Sequence, residues 1–266
     1  MKIHPVAMTI AGSDSSGGAG VQADLRAFRW FNVYGSSAIT CITAQNPEEV
    51  RSVFALPVTE VRQQIETVMD SLQVKAVKTG MLYSSDIINE VADVLEEYKA
   101  KGVEPKLVID PVMISTSGVA LINDEAIQTM KERLFPIAKI VTPNIPEAEV
   151  LSGMKISSLD DMHAAAKKLA IEFDTMFLIK GGHGFDAEAT DVLFSYNAVI
   201  QLKGKRIENP LCTHGTGCSL GSAIAACLAQ EYDMDAAVKL AKDYVTIGIE
   251  KACRIGEKSY GMWPRK

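Results

Sequence analysis

The stretch Asn209-Pro210-Leu211-Cys212-Thr213-His214-Gly215-Thr216-Gly217-Cys218-Ser219 runs directly into small and apolar residues at helical spacing. Gly215 and Gly217 permit backbone angles closed to other residues, and the first N–H groups of a helix lack intrahelical partners. Several donors can therefore converge on one anion, which suits a phosphate. Read alone, a Gly-Thr-Gly turn before a helix is also an ordinary tight connection, so the rest of the chain has to decide.

Outward from that stretch, short β-branched runs alternate with longer helical patterns. Val6–Ala11, Ser37–Thr43, Ala76–Thr79, Leu107–Asp110, Ile140–Thr142 and Met176–Lys180 read as strands. Val21–Phe31, Val58–Leu72, Ile87–Tyr98 and Glu125–Leu134 carry apolar residues at helical spacing between them. Continuous apolar strands separated by helices imply right-handed βαβ units and a mainly parallel sheet covered on both faces. Ala189–Tyr196 and Val199–Lys205, flanking Asn197, read as an antiparallel hairpin at a sheet edge. Ser219–Gln230 and Met234–Cys253 read as two closing helices rich in Ala, Gly and Ser. In such α/β folds ligands sit beyond the carboxyl ends of the strands, where every glycine-bearing or acidic motif here falls.

Composition narrows the function. The 266 residues are 47% hydrophobic, enough for a sizeable core, and no Pro/Gly/Ser-rich linker divides them, so one domain over residues 1–266 is expected. A net charge of −6 without basic blocks offers no footprint for nucleic acid or an anionic membrane. No run approaches membrane-spanning length, the N-terminus lacks signal-peptide regions, and five cysteines make an odd set, which together point to the cytoplasm. Cys212, His214 and Cys218 lack a second ligand pair at zinc-like spacing.

Particular residues carry the chemistry. Asp110 ends an apolar strand at the rim of the cleft, where a turn cap is the alternative role. Glu147 follows Asn144 by three, and Asn144 or Thr142 also suits a helix N-cap. Lys180 ends another apolar strand and precedes two glycines, which leaves its ammonium unobstructed; a solvated strand-end lysine is the plain alternative. The opening loop, Gly12-Ser13-Asp14-Ser15-Ser16-Gly17-Gly18-Ala19-Gly20, is neither a Walker A motif nor a dinucleotide fingerprint.

Ala11–Gly20, Thr142–Glu149, Lys180–Gly184 and Asn209–Ser219, in this order, resemble the ribokinase-like vitamin kinases, and among them the hydroxymethylpyrimidine/phosphomethylpyrimidine kinases of thiamin synthesis, with pyridoxal kinases as near relatives. The resemblance implies a ribokinase-like three-layer α/β sandwich and an ATP- and Mg2+-dependent kinase, commonly a homodimer. Its substrates would be 4-amino-5-hydroxymethyl-2-methylpyrimidine and the monophosphate. It assigns Asp110 and Glu147 to magnesium, and Thr142, Asn144, Lys180, Gly215 and Gly217 to the nucleotide. Gly12, Asp24, Gln45, Met81 and Val112 would border the pyrimidine, and the amide of Gln45 suits an aminopyrimidine edge. Cys218, with Gly215, Thr216, Gly217 and Lys180, would form the catalytic set.

Where sugar kinases of that superfamily carry an aspartate base, this chain has Cys218. A helix N-terminus is expected to lower its thiol pKa and so favour a thiolate base. Related pyridoxal kinases carry a second cysteine where this chain has Ser115, which favours the pyrimidine over pyridoxal. A pyridoxal/pyridoxine kinase is the first alternative function, and a catalytically silent ligand-binding protein is the remote one.

Overall fold

The computed structural model describes residues 3–113, 121–182, 188–195 and 198–264. Ser115 and the Asn197 turn, both invoked above, lie outside them. Nine strands form one sheet in the order β3-β2-β1-β4-β5-β6-β7-β8-β9. The central six, β2 (Tyr34–Gln45), β1 (Val6–Asp14), β4 (Val74–Thr79), β5 (Lys106–Ile109), β6 (Ile140–Val141) and β7 (Met176–Ile179), are parallel to one another. β3 (Val50–Ala55) closes one edge antiparallel to β2. At the other edge β8 (Asp191–Ser195) and β9 (Ala198–Leu202) form the expected antiparallel hairpin.

Alternation along the strands supplies two cores. Met8, Ile10, Val77, Ile109 and Phe177 face α2 (Val58–Ser71), α3 (Ser85–Ala100), α4 (Asp124–Arg133), α5 (Ile145–Ser152) and α6 (Leu159–Phe173). Ala7, Ala76, Val108, Ile140 and Leu178 face α1 (Gly20–Trp30), α7 (Thr216–Ala229) and α8 (Met234–Glu250). Helix, sheet and helix thus make three layers, the arrangement the sequence implied. A two-stranded ribbon, β10 (Cys253–Arg254) and β11 (Tyr260–Gly261), follows α8.

Chain order reverses at β1, which lies between β2 and β4. Such a reversal opens a crevice beyond the carboxyl ends of the strands, because consecutive connections leave to opposite sides. Asp14, Gln45, Gly80, Asp110, Thr142 and Lys180 lie at or just past those ends.

One difference from the expected boundaries matters for the chemistry. α7 begins at Thr216, with the left-handed Gly215 (φ 80°) as its N-cap, so Gly217 and Cys218 belong to its first turn and not to the loop before it. A β-carbon on Gly215 would overlap the carbonyl oxygen of Gly18, which ties the two glycine loops together.

Candidate active site

The N-terminus of α7 carries no side-chain cap. Thr216 closes the turn instead: its Oγ1 donates to the Thr213 carbonyl at 2.9 Å, and its N–H reaches the same oxygen at 3.3 Å. The first helical bond to return to the N-cap residue is Ser219 N–H to the Gly215 carbonyl, 2.9 Å. The amides of Gly217 and Cys218 therefore stand at the positive end of the helix dipole.

Against this turn lies an ion pair. Lys180 Nζ sits 2.9 Å from Asp110 Oδ1, and a β-carbon built on Gly217 would stand 3.3 Å from that Nζ and 3.4 Å from Asp110 Oδ2. Burial works against the Lys180 ammonium, yet Asp110 and Glu147 outweigh it and hold its pKa above the ordinary lysine value. The lysine is thus a partly buried, ion-paired cation beside an anion-receptive helix end, not a solvated strand end.

Asn144 and Glu147 form a reciprocal capping box at the start of α5. Asn144 Oδ1 accepts from Glu147 N–H at 2.9 Å, and Glu147 Oε2 accepts from Asn144 N–H at 2.9 Å. Glu147 Oε1 also accepts from Met113 N–H at 3.1 Å. Burial pushes the Glu147 carboxyl pKa up, Lys180 pulls it down, Asp110 pushes it up again, and the net shift is upward. Just before Met113, Val112 holds φ at 45°, an unfavourable conformation for a β-branched residue and one concentrated at functional sites.

Two residues expected to contact ligand are fully buried in this structure. Asp24 is fully buried below the crevice: its carboxylate accepts from Lys78 Nζ at 3.0 Å on both oxygens, from Thr9 Oγ1 at 2.6 Å and from Ser222 Oγ at 2.6 Å. Protein donors thus occupy both of its oxygens. Thr142 is likewise fully buried, with its hydroxyl donating to the Ile109 carbonyl at 3.3 Å. If Asp24 is a support, Asp24→Asn should strand the Lys78 charge and cost about 3–5 kcal/mol of stability in urea unfolding. The KM for the acceptor should stay within about twofold; a raised KM at unchanged stability would restore Asp24 to the ligand.

On the other side of the crevice, Gly12 occupies the irregular step in the β1–β2 register and adjoins Met81 and Cys41. Gln45 ends β2, and its backbone N–H and carbonyl are both held by Ser15 Oγ at 2.8 Å. Its amide lies 3.4 Å from His214 Nε2. The sequence reading left His214 aside, yet it joins the two glycine loops: its ring abuts Gly18, and its Nε2 lies 3.0 Å from Asp14 Oδ2. Burial pushes the Asp14 carboxyl up, but hydrogen bonds from His214, Ser16 and Ala19 outweigh it and hold the pKa at about 2. The only sequence signal for this role was the histidine's place beside Gly215.

Cys218 departs from its expected ionisation. Burial pushes the thiol up to about 11; Lys78 and the Gly20 N–H act against that rise, while Asp24 and Asp110 reinforce it. At rest it is a thiol, since removal from water outweighs the favourable helix end.

This geometry can bring an anion onto the α7 turn beside the Lys180 ammonium, with a thiol one residue further on. The sequence matches the family model of phosphomethylpyrimidine kinase over residues 14–263. The chain belongs to that family. A hydroxymethylpyrimidine/phosphomethylpyrimidine kinase of Bacillus subtilis is 44% identical over 251 residues, covering 94% of this chain and 91% of the relative. Among solved structures, a phosphomethylpyrimidine kinase of Clostridium difficile is 43% identical with a TM-score of 0.80, over 92% of this chain and 98% of that one. The ADP complex of Bacillus subtilis pyridoxal kinase is 36% identical with a TM-score of 0.88, over 99% and 98%. Membership in the phosphomethylpyrimidine kinase family agrees with the ribokinase-like resemblance read from the four motifs.

Proposed function

We infer that this chain is an ATP-dependent phosphotransferase that phosphorylates the hydroxymethyl group of 4-amino-5-hydroxymethyl-2-methylpyrimidine and then its monophosphate, in thiamin diphosphate biosynthesis. The observation that carries the phosphotransfer chemistry is the uncapped α7 turn, Thr216-Gly217-Cys218, packed on the Lys180–Asp110 pair in the same crevice as Gln45. Phosphoryl transfer depends chiefly on positioning and on neutralising charge spread over phosphate oxygens. The Gly217 and Cys218 amides and the Lys180 ammonium supply that neutralisation, and Asp110 fixes the ammonium. The minor thiolate form of Cys218 then takes the proton of the acceptor hydroxyl.

Among the described residues no group of three or more His, Cys, Asp or Glu side chains could hold a metal. Magnesium needs less, since it keeps several waters and takes one or two carboxylates plus substrate phosphates. Asp110 and Glu147, two buried oxygen donors beside Lys180, fit that demand. When bound, the ion would screen the charge of the transferring phosphoryl group. Glu147→Gln keeps the size and removes the charge. It should raise the magnesium concentration for half-maximal rate by about tenfold, and an unchanged titration would remove Glu147 from the metal.

The pyrimidine reading rests on the family and on Gln45, which ends β2 with its side-chain amide 3.4 Å from His214 Nε2. Gln45→Leu should lower kcat/KM for the pyrimidine alcohol by about 1–3 kcal/mol in transition-state binding, the usual cost of leaving buried polar groups unpaired. Loss below about threefold would release Gln45 from the ring. A pyridoxal kinase is the second reading, favoured by the likeness to the pyridoxal kinase structure. The deciding experiment offers pyrimidine alcohol, pyrimidine monophosphate and pyridoxal separately and identifies products by mass spectrometry; dominant pyridoxal phosphate would overturn the substrate assignment. The proposal extends to one kinase domain over residues 1–266 acting in the cytoplasm as a homodimer, which light scattering on the purified protein checks. No helix among the described residues is long and apolar enough to cross a membrane.

A further inference from the structure

Lys180 is held by its backbone as well as by Asp110. Its own N–H donates to the Pro143 carbonyl at 2.9 Å, and the next amide, Gly181 N–H, donates to Asp191 Oδ1 at 2.8 Å. Asp191 opens β8, while its other oxygen, Oδ2, takes Lys242 Nζ of α8 at 2.6 Å. That ammonium donates also to the Ala189 carbonyl at 2.7 Å, and the Asp191 and Lys242 side chains are only 8% and 13% exposed.

The last register pair between β7 and β8 is Ile179 with Val192, so Gly181 lies beyond the ladder and has no strand partner for its amide. A carboxylate on β8 supplies the acceptor, and a lysine from a different layer fixes the carboxylate. Burying an ion pair is costly, and holding a strand end by packing alone would avoid that cost. What the pair adds is a fixed direction for the residue next to Lys180. We propose that Asp191 and Lys242 are positioning residues for the nucleotide, a clamp that sets the Gly181 backbone and thereby aims the Lys180 ammonium at the phosphates. This rests on the assignment of Lys180 to the nucleotide made above.

Two uncharged pairs isolate the clamp from folding. D191N/K242M retains an amide oxygen for Gly181 N–H, whereas D191L/K242M removes it, and neither buries an unpaired charge. Calorimetric titration with the non-hydrolysable analogue AMP-PCP should show D191L/K242M binding at least tenfold more weakly than the parent. D191N/K242M should bind within about threefold of it, and the KM for the pyrimidine alcohol should move less than twofold in both. Equal AMP-PCP affinities in the two pairs would overturn the clamp, as would parallel losses in nucleotide and pyrimidine binding. K180A serves as the control: if it weakens AMP-PCP while the two pairs match, the clamp alone fails, and if it leaves affinity unchanged, the Lys180 assignment fails with it.

Discussion

Gly217→Val should lower the single-turnover rate about 10³-fold, the scale on which a preorganised anion site contributes. Gly217 has an ordinary helical φ, so the expected loss is one of space and not of backbone conformation. Its missing β-carbon would stand 3.3 Å from Lys180 Nζ and 3.4 Å from Asp110 Oδ2. A lone methyl at such distances asks its neighbours to give by a few tenths of an ångström, and Gly217→Ala should therefore cost about tenfold. The γ-methyls of valine extend further and must displace the ion pair or cover the amides at the start of α7. The distant sheet is untouched, so the melting temperature should move by only a few degrees. A valine variant within about threefold of the parent, a barrier difference below roughly 1 kcal/mol, would remove the α7 turn from phosphate binding.

The same turn shows where the sequence was legible and where it was not. Strands such as β1, β5 and β7 were readable because strands buried on both faces are continuous apolar runs, and the motifs at their ends followed from that placement. The edge strand Val50–Ala55 escaped because Arg51 and Ser52 interrupt it and one face meets solvent. The start of α7 was set three residues late because Gly-x-Gly reads as loop, although glycine here permits close approach within the first helical turn. The burial of Asp24 and Thr142 was not legible for another reason. The partners that bury Asp24 are Lys78, 54 residues away, and Ser222, 198 residues away, and local spacing cannot announce a tertiary pair. His214 belongs to the same class, since Asp14 lies 200 residues from it. Local pattern thus located the crevice, while the division between residues that face it and residues that support it depended on contacts between distant segments.

That division is sharpest at Cys218, where the sequence suggested a thiolate and the structure holds a thiol. With the pKa pushed up to about 11, only about one thiol in 10⁴ is ionised at pH 7. If that minor thiolate is the base, its population grows tenfold with each unit of pH below the pKa. The single-turnover rate should therefore climb about tenfold per unit from pH 7 towards pH 10. Cys218→Ala should lose about 10²–10⁴-fold at a fixed pH, the typical worth of a positioned base, and with it the slope. Cys218→Asp replaces the thiol with the carboxylate found in sugar kinases of the superfamily. A carboxylate is ionised well below pH 7, so this variant should recover part of the rate and keep it nearly level between pH 6 and pH 8. The comparison separates a base from a packing residue, because a packing residue has no reason to set the slope. Should Cys218→Ala keep the parent's rate and its pH profile, proton removal does not pass through sulfur, and transfer rests on Lys180, Asp110 and the amides of the α7 turn.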